Sequence, residues 1–281
     1  MSPQAAALGP ENTFCDLAAR SWCAAHPLNP GIILYPTIRQ TFNAVGNDCR
    51  WGVLPIENLV EGYVQPVLDL LLHGRLFIQD EMLLPIRFAF VATVPRPDMV
   101  RRIYAQFVTR GQCSAFLESL GDIPIVTTES NAASFELMRQ GREGDGALIP
   151  SHMLANTVFP CCIENVNDYR TNLTRFIVVG DDLPAAGQSC GYKTSLVIIE
   201  GMDRPGMLGD ILRGFSRRSI NLVAIMSRPT KESMGQYHFF VDIEGDARNP
   251  DIADALEEIR EYNDVKLLGT YPRAAHPAAP S

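Results

Sequence analysis

At 281 residues, the chain is long enough for two or three domains. Hydrophobic residues make up 46% of it and charged residues 20%, a composition typical of globular proteins and not of disordered ones. The formal net charge is -8, and no basic stripe offsets it, which argues against a nucleic-acid partner.

The sequence gives no sign of export, of a membrane span or of a metal site. Its apolar runs fall short of the roughly 20 residues that a transmembrane helix needs, and the N-terminus lacks the positive segment of a signal peptide. The seven cysteines are scattered, with no C-x-x-C pair and no histidine at metal-ligand spacing from them. We therefore expect a cytoplasmic protein with reduced thiols, no membrane contact and no bound metal.

Short β-like runs alternate with amphipathic helices through residue 180. Strands are predicted at 32–35, 52–56, 87–93, 124–127, 146–149 and 173–179, and helices at 13–25, 65–72, 112–120 and 132–140. This alternation predicts an α/β fold of parallel βαβ units with helices on both sheet faces. We expect two lobes with a ligand cleft between them: lobe 1 of residues 1–80 with a return at 163–180, and lobe 2 of residues 81–162.

The rest of the chain predicts a second, smaller domain. Residues 181–192 are rich in Gly, Pro, Asp and Ser and predict a linker. Residues 193–271 follow with a βαββαβ pattern, which is typical of a ferredoxin-like fold with two helices on one face of a four-stranded sheet. Its strands are predicted at 194–200, 221–228, 236–244 and 265–270, and its helices at 205–218 and 251–262. The tail, 272–281, is predicted to be disordered.

Two polar segments lie at the ends of predicted elements in the first lobe. The first, G-P-E-N-T-F at 9–14, precedes a helix that Thr13 could cap, and the free amides there would suit an anion. An ordinary strand-to-helix turn explains this segment equally well. The second, at 52–64, runs from a buried strand into a polar turn. There Glu57 and Asn58 would face the cleft, or would serve only as turn and capping residues.

A third segment, N-L-T-R-F at 172–176, places a Thr-Arg pair at the start of an apolar strand. An unpaired arginine pointing into a core would be costly. Arg175 therefore either forms a structural salt bridge or holds a carboxylate ligand with its forked donors. The periodicity favours neither alternative.

Together these segments resemble the prephenate dehydratase family along nearly the whole chain. The family's opening G-P-x-G-T-F-like turn is similar to 9–14, its P-[IV]-E-N-S-x-E-G-S-V segment to P-I-E-N-L-V-E-G-Y-V at 55–64, and its N-x-T-R-F motif is unchanged at 172–176. The second domain resembles the family's ACT regulatory domain. There P-G-M-L at 205–208, N-L at 221–222 and M-S-R-P at 226–229 match P-G-A-L, N-L and E-S-R-P. The shared order and spacing make the match specific.

The resemblance implies a two-lobed, periplasmic-binding-protein-like catalytic unit that converts prephenate to phenylpyruvate in L-phenylalanine synthesis, without a metal or organic cofactor. Thr174 would give a hydrogen bond or proton to the leaving hydroxyl. Arg175 would orient the strand or contact a substrate carboxylate, and Asn58 and Glu57 would shape the cleft by hydrogen bonding. The further substrate contacts that the resemblance implies are Thr13, Gly62, Asn172 and Phe176.

The resemblance also implies that L-phenylalanine regulates the enzyme by binding between the ACT domains of two chains, in a homodimer or a dimer of dimers. The effector-binding residues would be Asp203, Pro205, Gly206, Met207, Leu208, Asn221, Leu222 and Ser227. Core packing is the alternative for Met207 and Leu208, and is the expectation for Leu208. Gly206 in a strand-to-helix turn suggests that another group approaches its backbone closely.

Several positions depart from the family pattern. Leu59 and Tyr63 stand where the family has serine, Phe88 replaces a histidine, and Phe107 lies in a stretch that hardly matches the family's Ser-His-Pro-Gln. The pocket would then be less polar, and the enzyme would be slower on prephenate or would admit more apolar substrates. Neutral drift explains the changes equally well.

Other functions are alternatives to the dehydratase. One is a prephenate decarboxylase that keeps the ring hydroxyl, but the intact Thr174 argues against it. A non-catalytic amino-acid sensor is another, and arogenate could replace prephenate as substrate.

Overall fold

The computed structural model describes residues 3–156, 158–183, 191–199, 205–231 and 234–275. Up to residue 180, the elements in chain order are β1 (Gln4–Leu8), α1 (Phe14–Ala25), β2 (Gly31–Tyr35), α2 (Ile38–Ala44), β3 (Trp51–Asn58), β4 (Gly62–Tyr63), α3 (Gln65–His73), β5 (Phe77–Pro85), β6 (Phe88–Ala92), β7 (Arg102–Gln106), α4 (Phe107–Gln112), α5 (Ser114–Ser119), β8 (Ile125–Thr128), α6 (Asn131–Arg139), β9 (Asp145–Pro150), β10 (Cys161–Glu164) and β11 (Leu173–Gly180). Short 3-10 helices occupy Pro97–Met99 and Ser151–Asn156.

Lobe 1 is built on a sheet with the strand order β2-β1-β3-β11-β5, and β4 pairs with the end of β3. Strands β1, β2 and β3 are parallel, but β11 runs antiparallel to both β3 and β5. The predicted parallel βαβ units are therefore present, but the sheet as a whole is mixed. The reason is the returning strand β11, which inserts between β3 and β5 in the opposite direction.

Lobe 2 has a second mixed sheet with the order β10-β6-β9-β7-β8. Strand β7 is parallel to β8 and β9, whereas β6 is antiparallel to β9 and β10. The chain crosses into this lobe between Pro85 and Phe88 and returns between Glu164 and Leu173. The two lobes with two crossovers agree with the prediction, but the first crossing lies later than residue 80.

The side chains of β1 show how the sequence packs helices on both faces of lobe 1. Ala5, Ala6 and Ala7 are fully buried. Alternate residues point to opposite faces of a strand, so Ala5 and Ala7 pack in the cluster that contains α1, whereas Ala6 packs beside Ala44 of α2. Such small side chains let both helices approach the sheet closely.

The C-terminal domain has the predicted βαββαβ order, with an antiparallel sheet arranged β13-β14-β12-β15. Its elements are β12 (Tyr192–Ile199), α7 (Met207–Ser216), β13 (Leu222–Pro229), β14 (Tyr237–Glu244), α8 (Pro250–Arg260) and β15 (Asp264–Pro272). Strand β12 thus begins at the last residue of the predicted linker. The predicted disordered tail starts too early, because Pro272 ends β15 and the Ala274 amide donates to the Glu81 carboxylate at 3.0 Å.

Both faces of this third sheet are covered. One face packs on α7 and α8, with Leu196 and Ile198 of β12 in that core. Val197, between them, joins a core shared with lobe 1. The members of this shared core from the C-terminal domain are Val197, Phe240, Leu268 and Tyr271, and those from lobe 1 include Leu68, Leu71, Ile78 and Ile177. Burying side chains of this size stabilises by about 1.5–3 kcal/mol each.

Polar contacts anchor the C-terminal domain to α3 and β5. Lys266 donates to three carbonyl oxygens at the C-terminal end of α3, at 2.6–2.8 Å, where helix carbonyls lack partners of their own. Arg228 of β13 pairs with Asp69 of α3 at 2.5 Å. Gly269 of β15 lies so close to β5 that an added Cβ would overlap the Ile78 carbonyl oxygen. The second domain is therefore docked closely against lobe 1.

Candidate active site

Pairing of β3 with β11 brings the four predicted catalytic residues together. In the antiparallel ladder, Asn58 lies opposite Thr174 and Glu57 lies opposite Arg175. These pairs lie at the carboxyl end of β3, where open α/β sheets bind their ligands. Because adjacent residues of a strand point to opposite faces, the Thr174 and Arg175 side chains leave β11 in opposite directions.

The Asn58 side chain has a defined orientation. Its Nδ2 donates to Thr174 Oγ1 at 2.8 Å, while its Oδ1 accepts from the amides of Val60 at 3.0 Å and Glu61 at 2.9 Å. Flipping the amide would place its NH₂ group against two backbone N–H donors. The hydrogen-bond pattern therefore assigns the atoms, and the Thr174 oxygen acts as the acceptor.

This arrangement leaves the Thr174 proton available. A hydroxyl can donate one hydrogen bond and accept two. Among the described residues, no acceptor takes the Thr174 proton. Thr174 is 7% exposed, so the hydroxyl lies in a largely desolvated position. The geometry suits a group that donates to a leaving oxygen.

Gln112, at the end of α4, connects the two lobes and was missed by the sequence analysis. It is buried; its Nε2 donates to Glu61 at 3.2 Å and its Oε1 accepts from Asn172 Nδ2 at 3.0 Å. It thus links lobe 2 with the loop after β3 and with the residues before β11. In the sequence, Gln112 is only the first residue of a predicted helix, and this position carries no signal for the contact.

A second contact across the cleft joins the 9–14 turn to lobe 2. The His152 ring nitrogen Nε2 lies 3.0 Å from the Asn12 carbonyl oxygen, and Phe14 packs edge-on against His152 and Phe88. Burial lowers the pKa of His152, so the ring is neutral at neutral pH. Phe88 is 3% exposed and belongs to the core of lobe 2, so its predicted place in the cleft lining is corrected.

The turn at 9–14 is a helix start whose amides are partly satisfied by the protein itself. Thr13 is the N-cap of α1 and accepts from the Asp16 amide at 3.3 Å. The buried Asp16 carboxylate accepts from the Asn12 amide at 2.9 Å. A carboxylate of the chain thus already occupies part of the position where an anion was expected.

The remaining predicted substrate contacts differ in accessibility. Gly62 lies opposite Asn58 at the start of β4 with φ +80, and an added Cβ would meet nothing within 4 Å. Asn172 is 2% exposed, and its Oδ1 has no hydrogen-bond partner among the described residues. Phe176 is 1% exposed in the core beneath α1. A direct substrate contact by Phe176 is therefore contradicted, because its ring is enclosed by lobe 1.

Arg175 points away from Thr174, into the interface with the C-terminal domain. Its Nη1 lies 2.5 Å from Asp242 Oδ2 and 3.5 Å from Glu81 Oε2, and its Nε lies 3.2 Å from Glu57 Oε2. Burial alone would lower the pKa of Arg175, but Asp242 and the other neighbouring acidic groups raise it overall. This geometry favours the salt-bridge alternative over contact with a substrate carboxylate.

Tyr63, one of the departures from the family pattern, lies opposite Glu57 at the pairing of β4 with β3. Burial and the neighbouring Glu57 carboxylate raise the pKa of Tyr63 to about 12, so the phenol stays protonated. Its ring packs against the core shared by lobe 1 and the C-terminal domain. Tyr63 therefore belongs to the domain interface, and its predicted place in the cleft lining is corrected.

The predicted effector residues that the structure describes do not gather at one point within a single chain: Leu222 lies level with Thr194 at the start of β12, whereas Ser227 lies level with Ile198 at the end of β12. Asp203 falls outside the described residues. Pro205, Gly206, Asn221 and Ser227 are exposed and Leu222 is half-buried. Met207 is 8% exposed, whereas Leu208 is 38% exposed, so the expectation that Leu208 is core is wrong and Met207 occupies that position instead. Nothing lies within 4 Å of an added Cβ at Gly206, whose φ of +89 explains the glycine without a close neighbour.

Other features of the surface lie away from this cleft. A cavity of about 830 Å³ lies at the amino ends of β1 and β3 and is lined by Gln4, Asp48 and Arg50 among others. Thr174 lies at the opposite end of the sheet.

Within the described ranges, no three His, Cys, Asp or Glu side chains lie close enough together to bind a metal ion. No helix of the described parts is long and apolar enough to cross a membrane.

Comparison with known proteins agrees with this geometry. The family model for prephenate dehydratase matches residues 5–183, and the model for the ACT domain matches residues 195–261. A prephenate dehydratase of Amycolatopsis methanolica is 31% identical over 275 residues, which is 96% of this chain and 89% of that protein. The solved prephenate dehydratase of Arthrobacter aurescens, in complex with L-Phe, is 28% identical with a TM-score of 0.83, covering 96% of this chain and 90% of that one.

A further solved structure, described as GqqA, a novel type of quorum quenching acylase, is 26% identical with a TM-score of 0.79. The match covers 96% of this chain and 97% of that one. The family models, the relatives and the Asn58–Thr174 geometry agree on one assignment. The chain belongs to the prephenate dehydratase family.

Proposed function

We propose that the chain converts prephenate to phenylpyruvate, carbon dioxide and water, with Thr174 as the donor to the leaving hydroxyl. The observation that carries this proposal is the hydrogen bond from Asn58 Nδ2 to Thr174 Oγ1, which makes the oxygen an acceptor and frees its proton. Membership in the prephenate dehydratase family supports the reaction. A cytoplasmic location is part of the same proposal.

The reaction requires little beyond positioning and one proton. As the ring carboxylate leaves as carbon dioxide, its bonding electrons enter the ring and complete aromaticity while the carbon–oxygen bond to the hydroxyl breaks. The departing hydroxyl takes a proton and becomes water. Thr174 donates to it, and a proton from solvent restores the threonine. A general acid contributes about 10²–10⁴-fold in rate, and oriented donors in a dry site add a comparable factor.

The test is phenylpyruvate formation from prephenate by the wild type, Thr174→Ala and Thr174→Ser. We expect kcat to fall about 10²–10⁴-fold in Thr174→Ala, and to recover in large part in Thr174→Ser because a hydroxyl is restored. A product that is decarboxylated but not aromatic would indicate the decarboxylase alternative. An active Thr174→Ala would refute the role of the threonine, and a wild type inactive on prephenate and arogenate would refute the proposed reaction.

We infer that L-phenylalanine regulates this activity by binding to the ACT domain of a homodimer or a dimer of dimers. The match to the ACT family model over residues 195–261 supports this, as does the exposure of Asn221 and Ser227. The Arthrobacter aurescens relative was solved in complex with L-Phe. We expect Asn221→Ala to weaken L-phenylalanine binding, measured by calorimetry, while activity without effector stays normal. Unchanged affinity in that variant would contradict this placement of the effector.

A second candidate activity, on more apolar substrates, rests on exposed side chains beside the cleft. Leu59 is 64% exposed in the loop after Asn58, and Phe107 is 73% exposed at the start of α4. The loop and the helix are joined by the Glu61–Gln112 contact. Exposed apolar groups of this size can mark a binding surface. The similarity to the solved acylase makes amides with apolar acyl groups the first substrates to try.

The test compares the wild type with Leu59→Ser and Phe107→Ser on prephenate and on amides with acyl chains of increasing length. We expect both serine variants to lose activity on long-chain amides while retaining prephenate turnover. Equal profiles for all three proteins, or no amide hydrolysis by the wild type, would remove this candidate.

A further inference from the structure

Five charged side chains meet where β11 of lobe 1 touches the ACT sheet. Arg175 and Lys193 carry positive charge, and Glu57, Glu81 and Asp242 carry negative charge. Four of these side chains are at most 10% exposed, and Glu57 is 35% exposed. Buried charges are tolerated only with close partners. The position of Arg175 therefore depends on the carboxylates around it.

Asp242 is the closest of these carboxylates and belongs to β14 of the ACT domain. Its Oδ2 lies 2.5 Å from Arg175 Nη1, and its Oδ1 accepts from Ser195 Oγ at 2.5 Å. The Ser195 hydroxyl lies 2.6 Å from the Tyr271 hydroxyl. Groups of the ACT sheet thus hold the Asp242 carboxylate on one side, and the guanidinium of lobe 1 holds it on the other.

A second lobe 1 partner of Arg175 is Glu57, which precedes Asn58 in β3 and lies on the same face of the sheet as Arg175. Arg175 Nε is 3.2 Å from Glu57 Oε2, but Nε makes no aligned hydrogen bond. Without Asp242, the guanidinium would be drawn towards Glu57, since an ion pair strengthens when a competing partner is removed. A shift of Glu57 would move the adjacent Asn58 and with it the hydrogen bond to Thr174.

We propose that Asp242 is a positioning residue that the ACT domain contributes to the catalytic cleft. It holds Arg175 towards the ACT sheet and so preserves the Glu57–Asn58 geometry that orients Thr174. The proposal rests on the proposed dehydratase activity, because its effect is on the hydroxyl that acts in that reaction. It assigns the ACT domain a part in basal catalysis, separate from effector binding.

The experiment compares Asp242→Asn with Asp69→Asn in the full-length protein. Both remove a carboxylate from the domain interface, but Asp69 pairs with Arg228 and Lys231 and does not touch β11. We expect Asp242→Asn to lower kcat about 10–100-fold, as a misplacement of about 1 Å can, with KM changed less than about threefold. Asp69→Asn should stay within about twofold of the wild type. A similar loss in both variants would mean that Asp242 only holds the domains together.

A cycle with Arg175→Gln tests the route. If Asp242 acts through Arg175, Asp242→Asn causes little further loss in the Arg175→Gln background. If the losses in kcat of the two single variants multiply in the double variant, the proposal is overturned. An Asp242→Asn protein with wild-type kcat would overturn it too.

If Asp242→Asn fails to fold, Ser195→Ala takes its place, because this variant removes only the hydroxyl that holds Asp242. We then expect kcat to fall about 3–10-fold. A wild-type kcat in that variant would also overturn the proposal.

Hydrogen exchange gives a readout that does not depend on turnover. We expect the amides of residues 57–61 and 172–176 to exchange at least tenfold faster in Asp242→Asn than in the wild type, and to be unchanged in Asp69→Asn. A wild type that does not consume prephenate would refute the proposed function and leave the exchange pattern to judge the positioning role. Unchanged exchange in Asp242→Asn would refute the positioning role itself.

Discussion

The amide of Asn58 makes hydrogen bonds in two directions at once. Its oxygen accepts from two backbone amides of the following loop, and its nitrogen donates to the Thr174 hydroxyl. The loop thereby determines which atom of Asn58 faces Thr174. That choice decides the direction of the threonine hydrogen bond and leaves its proton for the substrate.

Replacing Asn58 by aspartate tests this direction. Asn58→Asp keeps an acceptor for the loop amides but replaces the donor with a carboxylate oxygen. The Thr174 proton would then be drawn to that carboxylate instead of to the leaving hydroxyl. We expect kcat for phenylpyruvate formation to fall by about 10²-fold or more, since a donor is lost from the reacting centre. Near-normal kcat with a folded protein would show that Asn58 does not control the hydroxyl.

The site residues that could be predicted from the sequence are those that a motif carries. Asn58 and Thr174 came from the family resemblance, and only the β3–β11 ladder shows that they are hydrogen-bonded. Gln112 has no local signal, because its partners Glu61 and Asn172 are distant in sequence. For Arg175 the sequence left two alternatives open. The decisive partner, Asp242, lies in another domain.

At the scale of elements, β5 shows why pattern reasoning failed for some strands. Its sequence, F-I-Q-D-E-M-L-L-P, has three polar residues in the middle and no clean alternation. Asp80 accepts from the Trp22 indole at 2.9 Å, and the buried Glu81 accepts from Lys193 at 2.8 Å. Tertiary partners thus stabilise polar groups that a local pattern reads as a loop. In the ACT domain, by contrast, every predicted element was found.

Two glycines of the ACT domain provide a matched pair of predictions for α7. Gly206 is its N-cap with φ +89, whereas Gly209 lies inside the helix, where an added Cβ would meet Arg213 at an ordinary 3.6 Å. Gly206→Ala should destabilise the protein by about 1 kcal/mol through backbone strain. Gly209→Ala should stabilise it by up to about 1 kcal/mol through helix propensity. Denaturant unfolding measures both, and two changes of the same sign would contradict the assignment.

At the scale of the whole molecule, the ACT sheet is enclosed by its own helices on one face and by lobe 1 on the other. The run L-V-I-I of β12, at 196–199, is consistent with this, because strands covered on both faces are apolar throughout. The sequence analysis predicted helices on one face of this sheet only. It did not predict lobe 1 as the second layer, since that contact depends on tertiary packing of α3 and β5.

Gly269 gives a prediction for this interface. Gly269→Ala would place a methyl group against the Ile78 carbonyl oxygen of β5, and backbone atoms cannot move aside cheaply. We expect a loss of about 1–3 kcal/mol in stability, as for overpacking in a core, together with easier proteolysis between the domains. Gly121→Ala serves as a control distant from the interface, although its φ of +82 adds some local strain. Equal proteolytic stability of wild type and Gly269→Ala would contradict the close docking.

Asp69 gives the interface a pH dependence. Hydrogen bonds from Arg228 and Lys231 lower the pKa of Asp69 from 3.8 to about 2. Stability from this contact is therefore present above about pH 4 and is lost as the pH falls through about 2, because protonation breaks the ion pair. We expect the difference in unfolding free energy between wild type and Asp69→Asn to shrink by roughly 1–2 kcal/mol over this interval, allowing for partial exposure. A constant difference from pH 7 to pH 2 would show that the pair contributes nothing.

The most direct measurement of the proposed chemistry is a double-mutant cycle on the rate of phenylpyruvate formation from prephenate. The cycle uses the wild type, Thr174→Val, Asn58→Asp and the double variant. Because Asn58 acts through the Thr174 hydroxyl, we expect the double variant to be no slower than Thr174→Val alone, within about threefold. Losses that multiply, or a wild type that forms no phenylpyruvate, would contradict the assignment of Asn58 and Thr174 as one catalytic unit.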